Sequence, residues 1–200
     1  MTRPREFDEA EVLQAATQQF CLHGYATTSV VRDLTEQMSI AGASLYNASQ
    51  DKQTLYRRAL EHYLDQSVRE RIARLEHSLS SPEAIAGFLN EVIERSLNDK
   101  QSRGCKLVNS TPELAPHDPE LRHLVRRELQ QIQQFFWRCV LKGQQTGMIT
   151  TAQSADDLAK LFLALLLGIR VLARTAPSRE LLQGAARPVL CLLGKPGLAT

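Results

Sequence analysis

The sequence predicts an all-α fold on three observations. Apolar residues recur every three or four positions through most of the 200 residues, which is the period of a helix with one buried face. Ser or Asp precedes these stretches, often followed by Pro or by an acidic residue three positions on, as is typical of helix starts. No segment alternates apolar and polar residues or carries a hairpin turn between apolar runs, so strands are not expected.

The first two predicted helices are short. A capping box of Asp8 and Glu11 begins the first helix, and Gly24 supplies a stop after its apolar positions. The second helix is expected from residue 28 or 29 through Met38, with its apolar side chains facing inward.

Asp51 is expected to cap a long helix that ends near Ser78 and connects two domains. We therefore predict an N-terminal helix-turn-helix domain over residues 1–50, a connecting helix over 51–78 and a larger C-terminal helical domain over 79–200.

Four further helices are predicted in the C-terminal domain, each with a start signal in the sequence. Gly147 is expected to stop the second of them, and Pro188 to bend or end the last. The starts are predicted at Ser81 with Pro82, at Asp118 with Pro119, at a capping box of Ser154 and Asp157, and at Ser178.

Residues 39–56 read SIAGASLYNASQDKQTLY and indicate the second half of a helix-turn-helix. A turn at Ser39–Gly42 is followed by a very short helix at about Ala43–Asn47, and in such an arrangement the second helix enters the major groove of DNA. Residues 14–63 resemble the N-terminal domain of the TetR/AcrR family of transcriptional regulators. The matching residues are Phe20, Gly24, Tyr25, Thr28, Ser29, Leu34, Ile40, Leu45, Tyr46, Lys52 and Leu55.

The family resemblance implies a homodimeric repressor that binds a palindromic double-stranded DNA operator and leaves it when a small-molecule or electrophile effector binds. Phosphate contacts are implied for Ser29, Tyr46, Asn47 and Lys52, and a basic arm along the backbone or minor groove for Arg3 and Arg5. The residues implied to approach base edges are Arg32, Ala41, Gly42, Ala43 and Ser44.

Departures from the family pattern keep an alternative function open. Gly42 stands where the family often has Lys or Arg, and Ser49 with Gln50 stand where it usually has Phe-Gly. Residues 1–56 contain four basic and seven acidic residues, a net charge of −3 that weakens non-specific attraction to DNA. The alternative is a helical ligand- or partner-binding protein whose DNA binding is weakened or lost.

An apolar effector pocket is expected between the C-terminal helices, although most of the residues concerned are more simply explained as plain core. Residues 103–122 resemble the start of the effector domain in one branch of the family, and Cys105 follows Arg103, whose charge would favour a reactive thiolate. Some family members sense electrophiles with a cysteine in a similar place. The expected lining is Phe88, Val92, Cys105, Leu107, Phe135, Trp137 and Phe162.

The last two helices are predicted to form the dimer interface. Their apolar stripe is wider than one neighbouring helix would cover, and Gly168 would permit close approach of a second chain. The expected interface residues are Leu158, Leu161, Phe162, Leu165, Leu166, Ile169, Leu172, Leu181, Leu182, Val189 and Leu192.

Several other classes of protein are not expected. The chain opens without a signal peptide, and the apolar run over residues 161–169 is too short to span a membrane, so a cytoplasmic protein with no membrane partner is predicted. The four cysteines lack paired spacing, and His117 and His123 are six positions apart, so neither a disulfide framework nor a metal site is indicated. No phosphate-binding loop or activated nucleophile can be assembled, and an enzyme or a cofactor is not expected.

Overall fold

The computed structural model describes residues 9–28, 51–99, 105, 107–109, 118–175 and 177–193. Within these ranges every regular element is helical, which confirms the predicted all-α fold. The elements are α1 (Glu9–Thr27), α2 (Lys52–Leu64), a π-helical turn (Asp65–Arg69), α3 (Glu70–Ser78), α4 (Ser81–Leu97), α5 (Pro119–Gln145), α6 (Ala155–Thr175) and α7 (Arg179–Cys191).

The N-terminal helix α1 packs lengthwise on α2. Its buried positions Val12, Ala16 and Phe20 follow the predicted helical period, and Thr17 Oγ1 donates a hydrogen bond to the Ala59 carbonyl at 2.9 Å. Gly24 interrupts the helical geometry at φ 77°, the left-handed region that favours glycine, but the helix resumes and ends at Thr27. The predicted cap at Asp8 and the predicted second and third helices of the N-terminal domain lie outside the described residues.

The connecting helix runs without a break from residue 52 to 78, where the sequence predicts it. Asp51 caps it as expected, accepting a hydrogen bond from the Thr54 N–H at 2.7 Å. The π-helical turn in its middle was not predicted, because one wider turn leaves the apolar period on either side almost unchanged. The boundaries of the predicted domains stay a prediction.

The C-terminal core is built around four phenylalanine rings. Phe88 of α4, Phe135 and Phe136 of α5 and Phe162 of α6 are almost fully buried, and neighbouring ring centres lie 5.2–5.5 Å apart. Helices α4, α5 and α6 pack against one another around these rings, and α7 closes the bundle against α4 and α6. Aromatic rings at such distances add to the stability that burial alone provides.

Most of the predicted helix starts of this domain are confirmed. Asp118 accepts hydrogen bonds from the Glu120 and Leu121 N–H groups at 3.0 Å each, and Ser154 and Ser178 cap α6 and α7 in the same way. The start of α4 was predicted one residue late, because Ser80 rather than Ser81 is the cap and donates to the Glu83 carboxylate.

The predicted helix end is confirmed for α5, and of the two predicted effects of Pro188 on α7, a bend or an end, the structure excludes the end. Gly147 follows the end of α5 with a φ of 70°, as a stop signal requires. Pro188 lies inside α7, and the helix continues to Cys191 instead of ending at the proline. Among the described residues, no helix is long and apolar enough to cross a membrane.

Candidate functional site

Lys52 is the predicted DNA-contact residue that the structure describes. It is the first residue of α2, and its Nζ lies 4.5 Å from the centre of the Tyr25 ring. Tyr25 in turn packs on Phe20 and Tyr56, so that α1 and α2 share one aromatic cluster. A cation over a ring face gains roughly 0.5–1 kcal/mol at an exposed site, which holds the ammonium group at a fixed place beside α1.

The remaining predicted DNA-contact residues lie outside the described residues, and their roles stay predictions. They are Arg3, Arg5, Ser29, Arg32, Ala41, Gly42, Ala43, Ser44, Tyr46 and Asn47.

Asp118 ties the start of the connecting helix to the C-terminal domain. Besides capping α5, its Oδ2 accepts a hydrogen bond from Gln53 Nε2 at 2.7 Å, and its Oδ1 lies 3.7 Å from Arg57 Nη1. Arg57 also forms an ion pair with Glu120. Burial opposes ionisation of Asp118, but the hydrogen bonds from Leu121 and Gln53 and the charge of Arg57 outweigh it and lower the pKa of the carboxyl group.

A second link joins the π-helical turn to the middle of α5. Glu128 is fully buried and accepts hydrogen bonds from Arg69, one of them from Nε at 3.2 Å. The guanidinium of Arg69 also contacts Asp65 at 2.5 Å and Glu61 at 3.1 Å. These carboxylates, Glu128 first among them, raise the pKa of Arg69, so the link stays charged.

A cavity of about 980 Å³ lies between the N-terminal helix and the C-terminal domain. Gln14 and Gln18 of α1 line one side, and His62 of α2 lines another. Side chains of α3, α4 and α6 complete the wall, which is mostly polar and charged. A ligand in this cavity would therefore touch both halves of the chain.

Apart from Trp137, the residues expected to line an apolar pocket are part of the core, and the role of the whole set in effector binding stays a prediction. None of its seven predicted residues lines the described cavity, because Phe88, Phe135 and Phe162 pack against other rings of the core and Val92 and Leu107 are buried. Trp137 is 41% exposed, since a residue two positions from Phe135 points to another side of the same helix.

Cys105 lies behind the cavity wall. Its side chain is buried, and the hydroxyl of Tyr63, which lines the cavity, donates to its Sγ at 3.8 Å. Burial, followed by the nearby thiol, raises the pKa of Tyr63, so the phenol remains a donor. Arg103, which was expected to activate the thiol, lies outside the described residues.

The two last helices carry an apolar face that the described part of the chain leaves exposed or half-buried. Leu161 and Leu181 are both 39% exposed, and Gly168 has open space around it. We call this surface the α6–α7 face and define it by Leu161, Leu165, Gly168, Leu172, Leu181, Val189 and Leu192.

Part of the expected dimer interface faces inward, onto the core of the same chain. One stripe of α6 and α7 packs on the chain's own core, and only the neighbouring stripe is left exposed or half-buried. The inward-facing residues are Leu158, Phe162, Leu166, Ile169 and Leu182.

Similarity to known proteins identifies the family. The family model described as the tetracyclin repressor-like C-terminal domain matches residues 81–189. The HTH-type transcriptional regulator YezE of Bacillus subtilis is 33% identical over 147 residues, which cover 74% of this chain and 75% of that protein. The chain belongs to the TetR family of transcriptional regulators.

Two further relatives extend the similarity along the TetR-family chain. The HTH-type transcriptional repressor ComR of Escherichia coli is 25% identical over 193 residues, covering 95% of this chain and 90% of that protein. A solved structure of a cysteine variant of the TetR family regulator CifR, complexed with a 26-base-pair double-strand operator DNA, is 32% identical with a TM-score of 0.81. That similarity covers 94% of this chain and 98% of the other. The family inferred from the N-terminal residues is thus confirmed.

The charged cavity was missed from the sequence, although one signal pointed to it. Arg170 is the one charged residue within the apolar stretch 161–173 of α6, and Arg71 lies on α3 between the apolar positions Ile72 and Val68. A charge held in such a stretch requires a polar surrounding, and here the surrounding is the cavity wall.

Proposed function

We propose that this TetR-family protein is a homodimeric transcriptional repressor that binds a palindromic double-stranded DNA operator and is released by a small-molecule effector. The observation that carries the proposal is the similarity, over 94% of the chain, to the CifR variant complexed with its operator. It acts in the cytoplasm in this proposal, without a catalytic role.

The DNA contacts follow the family resemblance of residues 14–63. Ser29, Tyr46, Asn47 and Lys52 bind phosphates, which positions the domain without reading sequence. The cation–π contact with Tyr25 supports this role for Lys52, because it limits the positions from which the ammonium group can reach a phosphate. Arg32 and residues 41–44 contact the base edges. The short side chains of residues 41–44 allow the backbone to come close to the bases.

The α6–α7 face supports the dimer. When a second copy covers the exposed apolar surface of these two helices, that surface leaves water and the free energy falls. A two-fold axis brings the same face of both chains together. The same axis sets two recognition helices about 34 Å or a multiple of that apart, which matches a palindrome.

The contacts at Asp118 and Glu128 support coupling between effector and operator. Both fix the connecting helix to α5, one near its start and one at its π-helical turn. A ligand that shifts α5 or the connecting helix therefore moves the DNA-binding domains of both chains relative to each other, and binding of ligand and DNA is reciprocal.

Selection of genomic DNA by the purified protein tests the proposal. Fragments of the source genome retained by the full chain should share one palindromic sequence, and Lys52→Ala should weaken binding to it by about tenfold, since a charge-assisted hydrogen bond contributes about 1.5–3 kcal/mol. Lys142→Ala, at an exposed lysine near the end of α5, is the matched control and should bind as the wild type does.

The alternative function makes the opposite prediction. A helical ligand- or partner-binding protein without DNA function would enrich no shared sequence. Its Lys52→Ala and Lys142→Ala variants would retain DNA fragments equally poorly.

A further inference from the structure

Four arginines line the cavity: Arg74 binds Glu91, and the other three come from three different helices. Arg71 comes from α3, Arg95 from α4 and Arg170 from α6. Arg71 is only 6% exposed, and its guanidinium carbon lies 5.4 Å from the centre of the Phe88 ring. A buried guanidinium keeps its charge at nearly every pH, so the cavity wall carries a permanent positive charge at this point.

Four carboxylates also line the cavity, and one of them pairs with Arg71. Glu91 accepts hydrogen bonds from Arg71 at 3.0 Å and from Arg74 at 2.8 Å, and one carboxylate thus serves two guanidinium groups. Glu94 is paired with Arg179, which is not part of the wall. Glu70, which is exposed, and Asp99, which is half-buried, complete the acidic groups that line the cavity.

Arg95 and Arg170 form no ion pair with a carboxylate in the part of the chain that the structure describes. The recorded hydrogen bond of Arg170 goes to the neutral Ser96 Oγ at 3.3 Å. The pKa of Arg71 is lowered, first by burial and then by the positive charges of Arg95 and Arg170, more than Glu91 raises it. Arg95 and Arg170 therefore act on Arg71 as like charges, and an anion beside Arg71 would offset them.

His62 is a further polar residue of the cavity wall. Its Nε2 has no hydrogen-bond partner among the described residues.

We propose that this cavity binds a small organic anion, with a carboxylate or phosphate group between Arg71, Arg95 and Arg170 and a polar body that reaches His62 and the glutamines of α1. The site rests on the proposed function, in which it is the effector site. Guanidinium groups match the planar, two-oxygen geometry of these anions.

The position of the site gives the anion a route to the operator. Gln14 and Gln18 belong to the helix that packs on the start of the connecting helix, whereas Arg95 and Arg170 belong to the C-terminal domain. An anion that contacts both sides favours one relative position of the two halves, and it releases DNA if that position does not fit the operator.

The test compares anions with uncharged counterparts on the full-length protein. Inorganic phosphate, a series of small dicarboxylates and sugar phosphates, and the amides and free sugars that correspond to them are titrated by calorimetry and by thermal unfolding. We expect an anion of the series to bind and to raise the unfolding midpoint, while its uncharged counterpart does neither. Whether phosphates or carboxylates bind more tightly distinguishes the two sources of the charge.

Glutamine variants at Arg95 and Arg170 test whether these two side chains bind the anion. Arg95→Gln and Arg170→Gln should weaken anion binding tenfold or more, and without anion they should unfold at or above the wild-type midpoint, because a repelling charge is gone. Arg126→Gln, at an exposed arginine of α5, is the matched control and should bind the anion as the wild type does.

Two outcomes would overturn the site: uncharged counterparts that bind as well as the anions, or anion binding and midpoint shifts that are equal in the wild type and in Arg95→Gln and Arg170→Gln. Operator binding measured without anion separates this result from the proposed function. If the wild type binds the anion through these arginines but no DNA, the site stands and the repressor function fails.

Discussion

Replacement of Glu128 by glutamine tests whether the link between the π-helical turn and α5 holds the chain together. The carboxylate is 0% exposed and accepts hydrogen bonds from Arg69 and, at 3.4 Å, from Arg127 Nε. Glutamine keeps the shape of the side chain but loses the negative charge, and its amide N–H₂ would meet a guanidinium donor. Two positive groups would then lie against a neutral side chain in a buried place.

The expected loss of unfolding free energy follows from the remaining contacts of Arg69. Removing one partner of a buried ion pair costs about 3–5 kcal/mol. Arg69 is 28% exposed and keeps its contacts with Asp65 and Glu61, so part of its charge stays compensated. We therefore expect Glu128→Gln to lose about 2–3 kcal/mol, at or just below the lower limit of that range.

Urea unfolding followed by circular dichroism, at matched protein concentration, measures the loss. Glu76→Gln is the control, because Glu76 of α3 binds Arg138 of α5 through two hydrogen bonds but the two side chains are 30% and 46% exposed. That exposed pair should contribute less than about 1 kcal/mol. Equal losses in the two variants would refute the reasoning, since burial of the carboxylate would then make no difference.

Three further predictions concern the junction, the packing and the dimer. Asp118→Asn should lower the free energy of unfolding most near neutral pH. The pKa of Asp118 is lowered in the folded state, so its charge stabilises the fold above the ordinary aspartate range and this contribution is lost as pH falls through the folded-state pKa. A pH series of urea titrations measures this dependence. If the loss is the same at every pH, the charge of Asp118 contributes nothing. Gly143→Ala should destabilise by about 1–3 kcal/mol because its Cβ would lie 2.4 Å from Ile149 Cδ1, whereas Gly184→Ala, in open space, should be neutral or stabilising; equal thermal melts would contradict this. Leu161→Glu should dissociate the dimer in sedimentation experiments, while Val171→Glu, at a residue that is more exposed but on another side of α6, should not, and the reverse order would exclude the α6–α7 face.

The features that the sequence predicts well are those set by neighbouring residues. Asp118, Ser154 and Ser178 cap their helices because a short polar side chain before an apolar period satisfies backbone N–H groups only a few positions away. The N-terminal segment reveals the family for the same reason, since its signature lies in one short stretch.

Features set by distant residues could not be predicted in the same way. Phe88, Phe135 and Phe162 have the spacing of a buried face, but spacing does not tell whether that face fills a core or lines a pocket. The packing of three helices brings Arg71, Arg95 and Arg170 to one cavity, so no local sequence pattern predicts their cluster. The same holds for α6, where the stripe on the chain's own core and the stripe left exposed are equally apolar.

Affinity for the selected palindrome is the measurement that tests the central claim most directly. The full-length protein is titrated at fixed salt against the palindrome and against a duplex of the same length and composition with one half-site shuffled. A two-chain complex should bind the palindrome at least about a thousandfold more tightly than unrelated DNA, with the shuffled duplex in between. Equal affinity for all three duplexes, or a complex that contains a single chain, would contradict the account of this protein as a dimeric TetR-family repressor.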